Sequence, residues 1–339
     1  MEIKAREGDL IENARHVMFD VKGLVHPRDK IVAFPRFLPD LSGDRKRDNT
    51  VFGKVYSLPD RFEFLKQNLP SYLVCDPVFD EKLCEVPIED VIRHYVPVEK
   101  LQQFHTARDL DAVETKALKL AELLKEEANI PQDAIGISGS LLAGLHTVDS
   151  DIDPVVYGSE NCKKAHAALK RLCEGGQSGF RQHSLENLKK LFDFRSKDTI
   201  MSFEDFVRTE SRKVMQGMFN GTDYFLRFVK DWDEIDENYG DVRYKNCGYA
   251  RIKATVEDDR ESIFTPCTYR VANVKTLEEN KTEKIDEISS FRGRFCKQAT
   301  NGETVVAQGK IERVVDTRRN REHYRLLLGN RPTDFMILA

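Results

Sequence analysis

Between residues 106 and 127 apolar side chains return every three or four positions. Leu110, Val113, Ala117, Leu120, Ala121 and Leu124 make one stripe, with Asp, Glu and Lys on the other side. That period predicts an amphipathic helix, closed by Asn129 and Pro131. A short apolar run over 134–137 then has strand character and ends in Ser138-Gly139-Ser140, after which Leu141, Leu142, Ala143 and Leu145 suit one or two helical turns. Asp151 and Asp153 open the next apolar run, 154–157. In a strand, residues i and i+2 share a face, so both carboxylates project together while Ile152 turns into the core.

The rest of the chain follows the same two periods. Strands are expected over 16–22 and 31–38, joined by a turn at 23–29, with helices over 62–69 and 87–95. Residues 40–54 carry Arg45, Lys46, Arg47 and Lys54 in a polar setting, which reads as a solvated loop, with a phosphate-gripping loop as the alternative. Beyond the Asp pair, Ser159 is placed to cap a helix over 160–173, and 174–179 reads as a flexible loop. Helices over 184–195 and 202–217 form an inserted element whose Arg195, Lys197, Arg208, Arg212 and Lys213 read as a solvated basic face. Asn220-Gly221 turns the chain into a strand over 222–230, and 231–241 is an acidic loop. Strands follow over 249–256 and 262–274, then a charged linker or helix over 275–287. Strands at 304–307, 310–315 and 323–328 come last, with a hairpin turn at Asn301-Gly302.

Composition narrows the class. The chain has 339 residues, 40% hydrophobic and 32% charged, which suits a globular α+β protein of two or three domains. No run is long and apolar enough for a bilayer, so no membrane partner is expected. Seven scattered cysteines without a C-x-x-C pair read as reduced thiols in a cytoplasmic protein. The net charge of −4 argues against wholesale coating of nucleic acid, but residues 291–330 carry seven Arg and two Lys against three Glu and one Asp. With Phe291, Phe295 and Tyr324 among them, this stretch reads as a small basic β-barrel-like domain, with Arg318, Arg319 and Arg321 as candidate RNA contacts.

The chemistry concentrates around residue 140. Unpaired backbone N–H groups where a strand gives way to a helix favour an anionic phosphate. Two carboxylates on one face repel each other unless a cation lies between them, and hard oxygen donors suit Mg²⁺ or Mn²⁺. Gly139-Ser140, ten residues, then Asp151-Ile152-Asp153 before apolar Val155 and Val156 resembles the signature of the DNA polymerase beta-like nucleotidyltransferase superfamily. The match covers about residues 108–160, and Pro154 departs from the superfamily's usual apolar residue. The whole chain is also similar to uncharacterised archaeal proteins predicted to be nucleotidyltransferases.

The resemblance implies a palm-like domain, two divalent ions and a nucleoside triphosphate as substrate, with pyrophosphate released. Asp151 and Asp153 would hold the metal and Gly139 and Ser140 the triphosphate. The third carboxylate that the family needs is assigned to Asp223, as metal ligand and catalytic group, with Asp258 and Asp259 in reserve. By alternation Asp223 shares a face with Arg227. The expected organisation is an N-terminal mixed α/β domain (1–104), a nucleotidyltransferase domain with a helical insertion (105–280) and a basic β domain (285–339). The acceptor is expected to be an RNA 3′ end. A protein hydroxyl is the enzymatic alternative, and a non-catalytic RNA-binding protein on a transferase scaffold is the other.

Overall fold

A computed structural model describes residues 3–176, 178–277 and 284–339. The chain divides into two compact units. The first holds residues 1–75, 82–182 and 214–236, and the second holds 76–81, 183–213 and 237–339. The N-terminal segment and the Gly-Ser/Asp motif therefore share one unit, whereas the inserted helices fall with the C-terminal strands. Several sheets alternate with helices, an α+β architecture. No helix among the described residues is long and apolar enough to cross a membrane.

In the first unit, Leu10–Asn13 pairs with both Met18–Val21 and Val91–Tyr95, and Lys30–Pro39 carries the sheet on to Thr50–Lys54 and Arg45–Arg47. One core joins Ile11, Phe19, Val21, Ile31 and Ala33 to Leu65 of helix Leu58–Asn68. A second joins Leu10, Met18, Phe37, Phe52 and Tyr95 to Leu142, Ala143 and Leu145 of the central motif. The N-terminal sheet is thus packed directly onto the turn that carries the candidate chemistry. Residues 87–95, expected as a helix, are a 3-10 turn followed by strand Val91–Tyr95. Val91, Ile92 and Tyr95 suit a pleated surface, and pairing with Leu10–Asn13 decides the outcome.

The expected helix over 106–127 starts later, at Ala112, after a separate, unexpected helix, Pro97–Thr106. Asp111 caps Ala112–Ala128 through a capping box with Glu114. Asn129 closes it in the left-handed region, and the predicted stripe from Val113 to Leu124 is buried. Strand Ile135–Ile137 runs antiparallel to Pro154–Tyr157, which runs parallel to Arg227–Val229. Helix Ser159–Gly175 follows, capped at Gly158 rather than Ser159. The N–H of Ser159 donates to both carboxylate oxygens of Glu234 at 2.9 Å, so a residue of the acidic loop completes this helix start. Asn220 and Gly221, with φ of 47° and 80°, turn Gln216–Phe219 into Thr222–Phe225. The helix expected over 202–217 therefore ends at Glu210. The single strand expected over 222–230 breaks at Leu226 into Thr222–Phe225 and Arg227–Val229.

The second unit is built on a closed five-stranded barrel. Val242–Asp258 pairs with Cys267–Thr276 and also with Thr304–Asp316. Ile285–Ser290 pairs antiparallel with Cys267–Thr276 and parallel with Arg321–Leu328, which returns to Thr304–Asp316. The barrel starts at Val242, well before the expected boundary at 285, and closure leaves the ring without free edges. The linker expected over 275–287 falls partly on residues 278–283, outside the described residues, and the tip of the 174–179 loop at 177 does too. The Asn301-Gly302 turn leads into Thr304–Asp316 and is preceded by a 3-10 turn, Gly293–Phe295, not by a hairpin partner.

Candidate active site

The strand-turn-helix motif is locked to the Asp pair by backbone and by contact. The N–H of Ser138 donates to the C=O of Asp153 at 2.8 Å. Gly139 has φ of +64°, and a Cβ built there would lie 1.9 Å from Oδ2 of Asp153. Only glycine permits this approach, since it tolerates positive φ and leaves room for the carboxylate. The turn and the second carboxylate, distant in sequence, therefore touch. Helix Gly139–Ala143 is one turn long, and Ser140 within it is buried with no partner for its Oγ.

The strand pairing orients the acids. The N–H of Ile152 donates to the C=O of Asp223 at 2.9 Å, and the N–H of Phe225 donates to the C=O of Ile152 at 3.0 Å. This is a parallel bridge between Ile152 and Tyr224, both of them buried. Their neighbours Asp151, Asp153 and Asp223 fall on the opposite face, with Asp223 beside Asp151 in register. Asp151 and Asp153 are half-buried, and Asp223 is exposed at the strand start. Burial and the negative charge of Asp151 push the Asp153 carboxyl up to about 6, against the pull of Lys54, Arg227 and Arg36.

Of those cations, sequence reading marked Arg227 on the carboxylate face and Lys54 in the basic stretch 40–54, and missed Arg36. Arg227 lies 3.5 Å from Glu7 and acts on Asp20 and Asp153. Asp20 is half-buried, and desolvation alone would raise its carboxyl, but Lys22 at 2.7 Å, Arg227, Arg36 and Arg61 hold it well below the usual carboxylate range. Glu7, Asp20, Lys22 and Arg36 come from the N-terminal segment and its sheet. No local pattern marks them. Only the packing of that sheet on residues 142–145 brings them to the Asp pair.

The basic stretch 40–54 is a strand pair rather than a solvated loop, and its Arg45 and Arg47 are held by protein partners. Its two strands form a hairpin in which Arg45 donates to the C=O of Leu145 at 2.6 Å. Arg47 donates to both oxygens of Glu12 at 2.9 and 3.0 Å, to Tyr95 Oη at 2.8 Å and to the C=O of Ala143 at 3.2 Å. Two cations at the C-terminal end of the short helix satisfy carbonyls that the helix leaves open.

Other singled-out residues have definite places. Arg318 and Arg319 sit at the tip between Thr304–Asp316 and Arg321–Leu328. Both backbone N–H groups donate to Asp316, whose second oxygen lies 3.7 and 3.8 Å from their guanidinium groups. Arg321 begins the next strand and is exposed. The reserve acids belong to the barrel unit, where Asp258 pairs with Arg260 and Asp259 with Lys297. The expected basic face of the insertion is divided: Lys197, Arg208 and Arg212 are exposed, whereas Arg195 and Lys213 are turned inward. Arg195 and Lys213 hold buried Glu210, and Arg212 pairs with Glu303. A further group of metal-ligand type, Asp111, Glu114 and His146, has donor atoms within 4.8 Å, but its carboxylates already serve the capping box.

No family model matches the chain, and no solved structure matches it. An uncharacterized protein of Methanocaldococcus jannaschii, MJ1086, is 34% identical over 335 residues, covering 96% of this chain and 95% of that protein. Similarity of that extent runs through both units rather than one motif, and the chain belongs to the same family as MJ1086.

Proposed function

We propose that the chain is a metal-dependent nucleotidyltransferase that moves a nucleoside monophosphate from a nucleoside triphosphate to an RNA 3′ end, releasing pyrophosphate. The observation that carries this reading is the contact of Asp153 with Gly139. It joins a paired-carboxylate strand to a strand-to-helix turn within one half-buried site. The donor set fits a divalent ion. Asp151 raises the proton affinity of Asp153, a repulsion that Mg²⁺ or Mn²⁺ would relieve, and Asp223 is next in register as third ligand or base. When bound, such ions stabilise charge on the phosphate oxygens and make the attacking hydroxyl more acidic. Gly139 and Ser140 would hold the triphosphate, and the buried, unpartnered Oγ of Ser140 leaves a donor for it. The arginine tip at Arg318, Arg319 and Arg321 is the RNA contact in this reading.

The test supplies purified protein with Mg²⁺ or Mn²⁺, each α-labelled nucleoside triphosphate and bulk RNA. Label on RNA that disappears with Asp153→Asn supports the proposal. Label on protein moves the acceptor to a protein hydroxyl. No transfer under any condition, with RNA still bound, leaves the scaffold as a binding protein.

A further inference from the structure

Five cations act on Asp20 or on Asp153, and most of them already have partners. Lys22 pairs with Asp20 at 2.7 Å and Glu7 at 3.4 Å, Arg227 lies 3.5 Å from Glu7, and Arg61 donates to the C=O of Val55 at 3.4 Å. Arg36 also donates to the C=O of Val55 at 3.4 Å, and its charge acts on Asp20 as well as on Asp153. Neither Arg36 nor Lys54 forms an ion pair among the described residues, and the paired strands that carry them pack Phe37 and Phe52 on Leu142, Ala143 and Leu145 of the central motif. Both cations also flank one aromatic ring. The Arg36 guanidinium is 5.2 Å, and the Lys54 ammonium 5.0 Å, from the ring of Tyr56. That ring is 47% exposed, on a chain segment whose neighbouring aromatics Phe37 and Phe52 are fully buried.

A half-exposed tyrosine ring flanked by two cations offers a face for stacking. Charge balance says what kind of ligand fits beside it. A divalent ion on Asp151 and Asp153 would offset the negative charge those carboxylates present to Arg36 and Lys54, so that both cations could take an anion beside the metal. An anion that also presents a flat apolar face would engage all three side chains. A nucleoside triphosphate has both parts, phosphates for the cations and a base for the ring.

We propose that Arg36 and Lys54, on paired strands of the N-terminal sheet, and Tyr56 just beyond them form the nucleotide-recognition element of the site, the two cations gripping the triphosphate and Tyr56 stacking on the base. This rests on the nucleotidyltransferase reading. It gives the N-terminal sheet a substrate-binding role and assigns base contact to a ring that accepts any base, so base selection lies elsewhere.

The experiment measures binding to the full chain by calorimetry in Ca²⁺, using each of the four nucleoside triphosphates and inorganic tripolyphosphate. Lys54→Met should weaken nucleotide and tripolyphosphate alike by about tenfold, and Lys54→Arg should restore both. Tyr56→Leu should weaken the tightest nucleotide by about tenfold and leave tripolyphosphate unchanged. Thermal melts confirm that each variant is folded. Equal loss of both probes in Tyr56→Leu, or no loss in Lys54→Met, overturns the inference. The two readings fail separately. Binding with this pattern but no transfer by the wild type removes the transferase and keeps the element. Transfer that needs Asp153, with nucleotide KM unchanged in Lys54→Met and Tyr56→Leu, removes the element and keeps the transferase.

Discussion

Replacing Gly139 with alanine isolates the contact on which the site is built. Two penalties apply. Holding alanine at φ of +64° costs about 1–2 kcal/mol, because its Cβ crowds the following carbonyl. The new Cβ would also stand 1.9 Å from Oδ2, 2.8 Å from Cγ and 3.0 Å from Cβ of Asp153, an overpacking that adds roughly 1–3 kcal/mol as the strand shifts. Gly221 separates the two, since its φ is +80° and nothing lies within 4 Å of a Cβ there. Gly221→Ala should show the backbone term alone. Asp153→Ala removes the two closer steric partners, so the double variant Gly139→Ala/Asp153→Ala should recover about 1–2 kcal/mol relative to additivity. Denaturant midpoints for the four variants complete the cycle. If Gly139→Ala costs no more than Gly221→Ala, or the cycle is additive, the carboxylate does not lie against Gly139 and the site as described is wrong.

Other expectations follow from the charges. Because the folded state favours the protonated Asp153 carboxyl, both states are protonated below about pH 4, and the penalty grows from there to about 6 and is full above it. Asp153→Asn should therefore stabilise the metal-free protein at pH 7.5 by about 1–2 kcal/mol after solvent screening. It should do so much less at pH 4, and destabilisation at pH 7.5 would refute the assignment. Arg47→Met leaves buried Glu12 with only His16 and the Tyr95 hydroxyl as partners and should cost about 1–3 kcal/mol, with Glu12→Gln recovering part of it in the double variant, as read from denaturant midpoints. Changing Arg318, Arg319 and Arg321 to Ala should flatten the salt dependence of RNA binding by roughly 2 in log–log slope, at ~0.7 per lost contact. An unchanged slope removes the tip from the RNA footprint. Asp223→Asn should abolish transfer while nucleotide binding persists, and full activity in that variant would leave the third acid unassigned.

The sequence by itself determined what is local. The Val113–Leu124 stripe, the small-residue turn at 138–140, the shared face of Asp151 and Asp153 and the Asn220-Gly221 turn all depend on periods and dihedral preferences carried by neighbouring residues. The tertiary structure decided what depends on partners. Residues 87–95 are helix-compatible until Leu10–Asn13 offers a strand, and the 222–230 run breaks at Leu226 because its halves pair differently, the first with Gln216–Phe219 and the second with Pro154–Tyr157. Arg45 and Arg47 look solvated until the carbonyls of Leu145 and Ala143 stand in front of them. Asp20 and Arg36 carry no signal at all, and Lys54 only that of a basic stretch, because a charge gains its role from the field of residues that folding brings near, and the chain does not encode that field at short range.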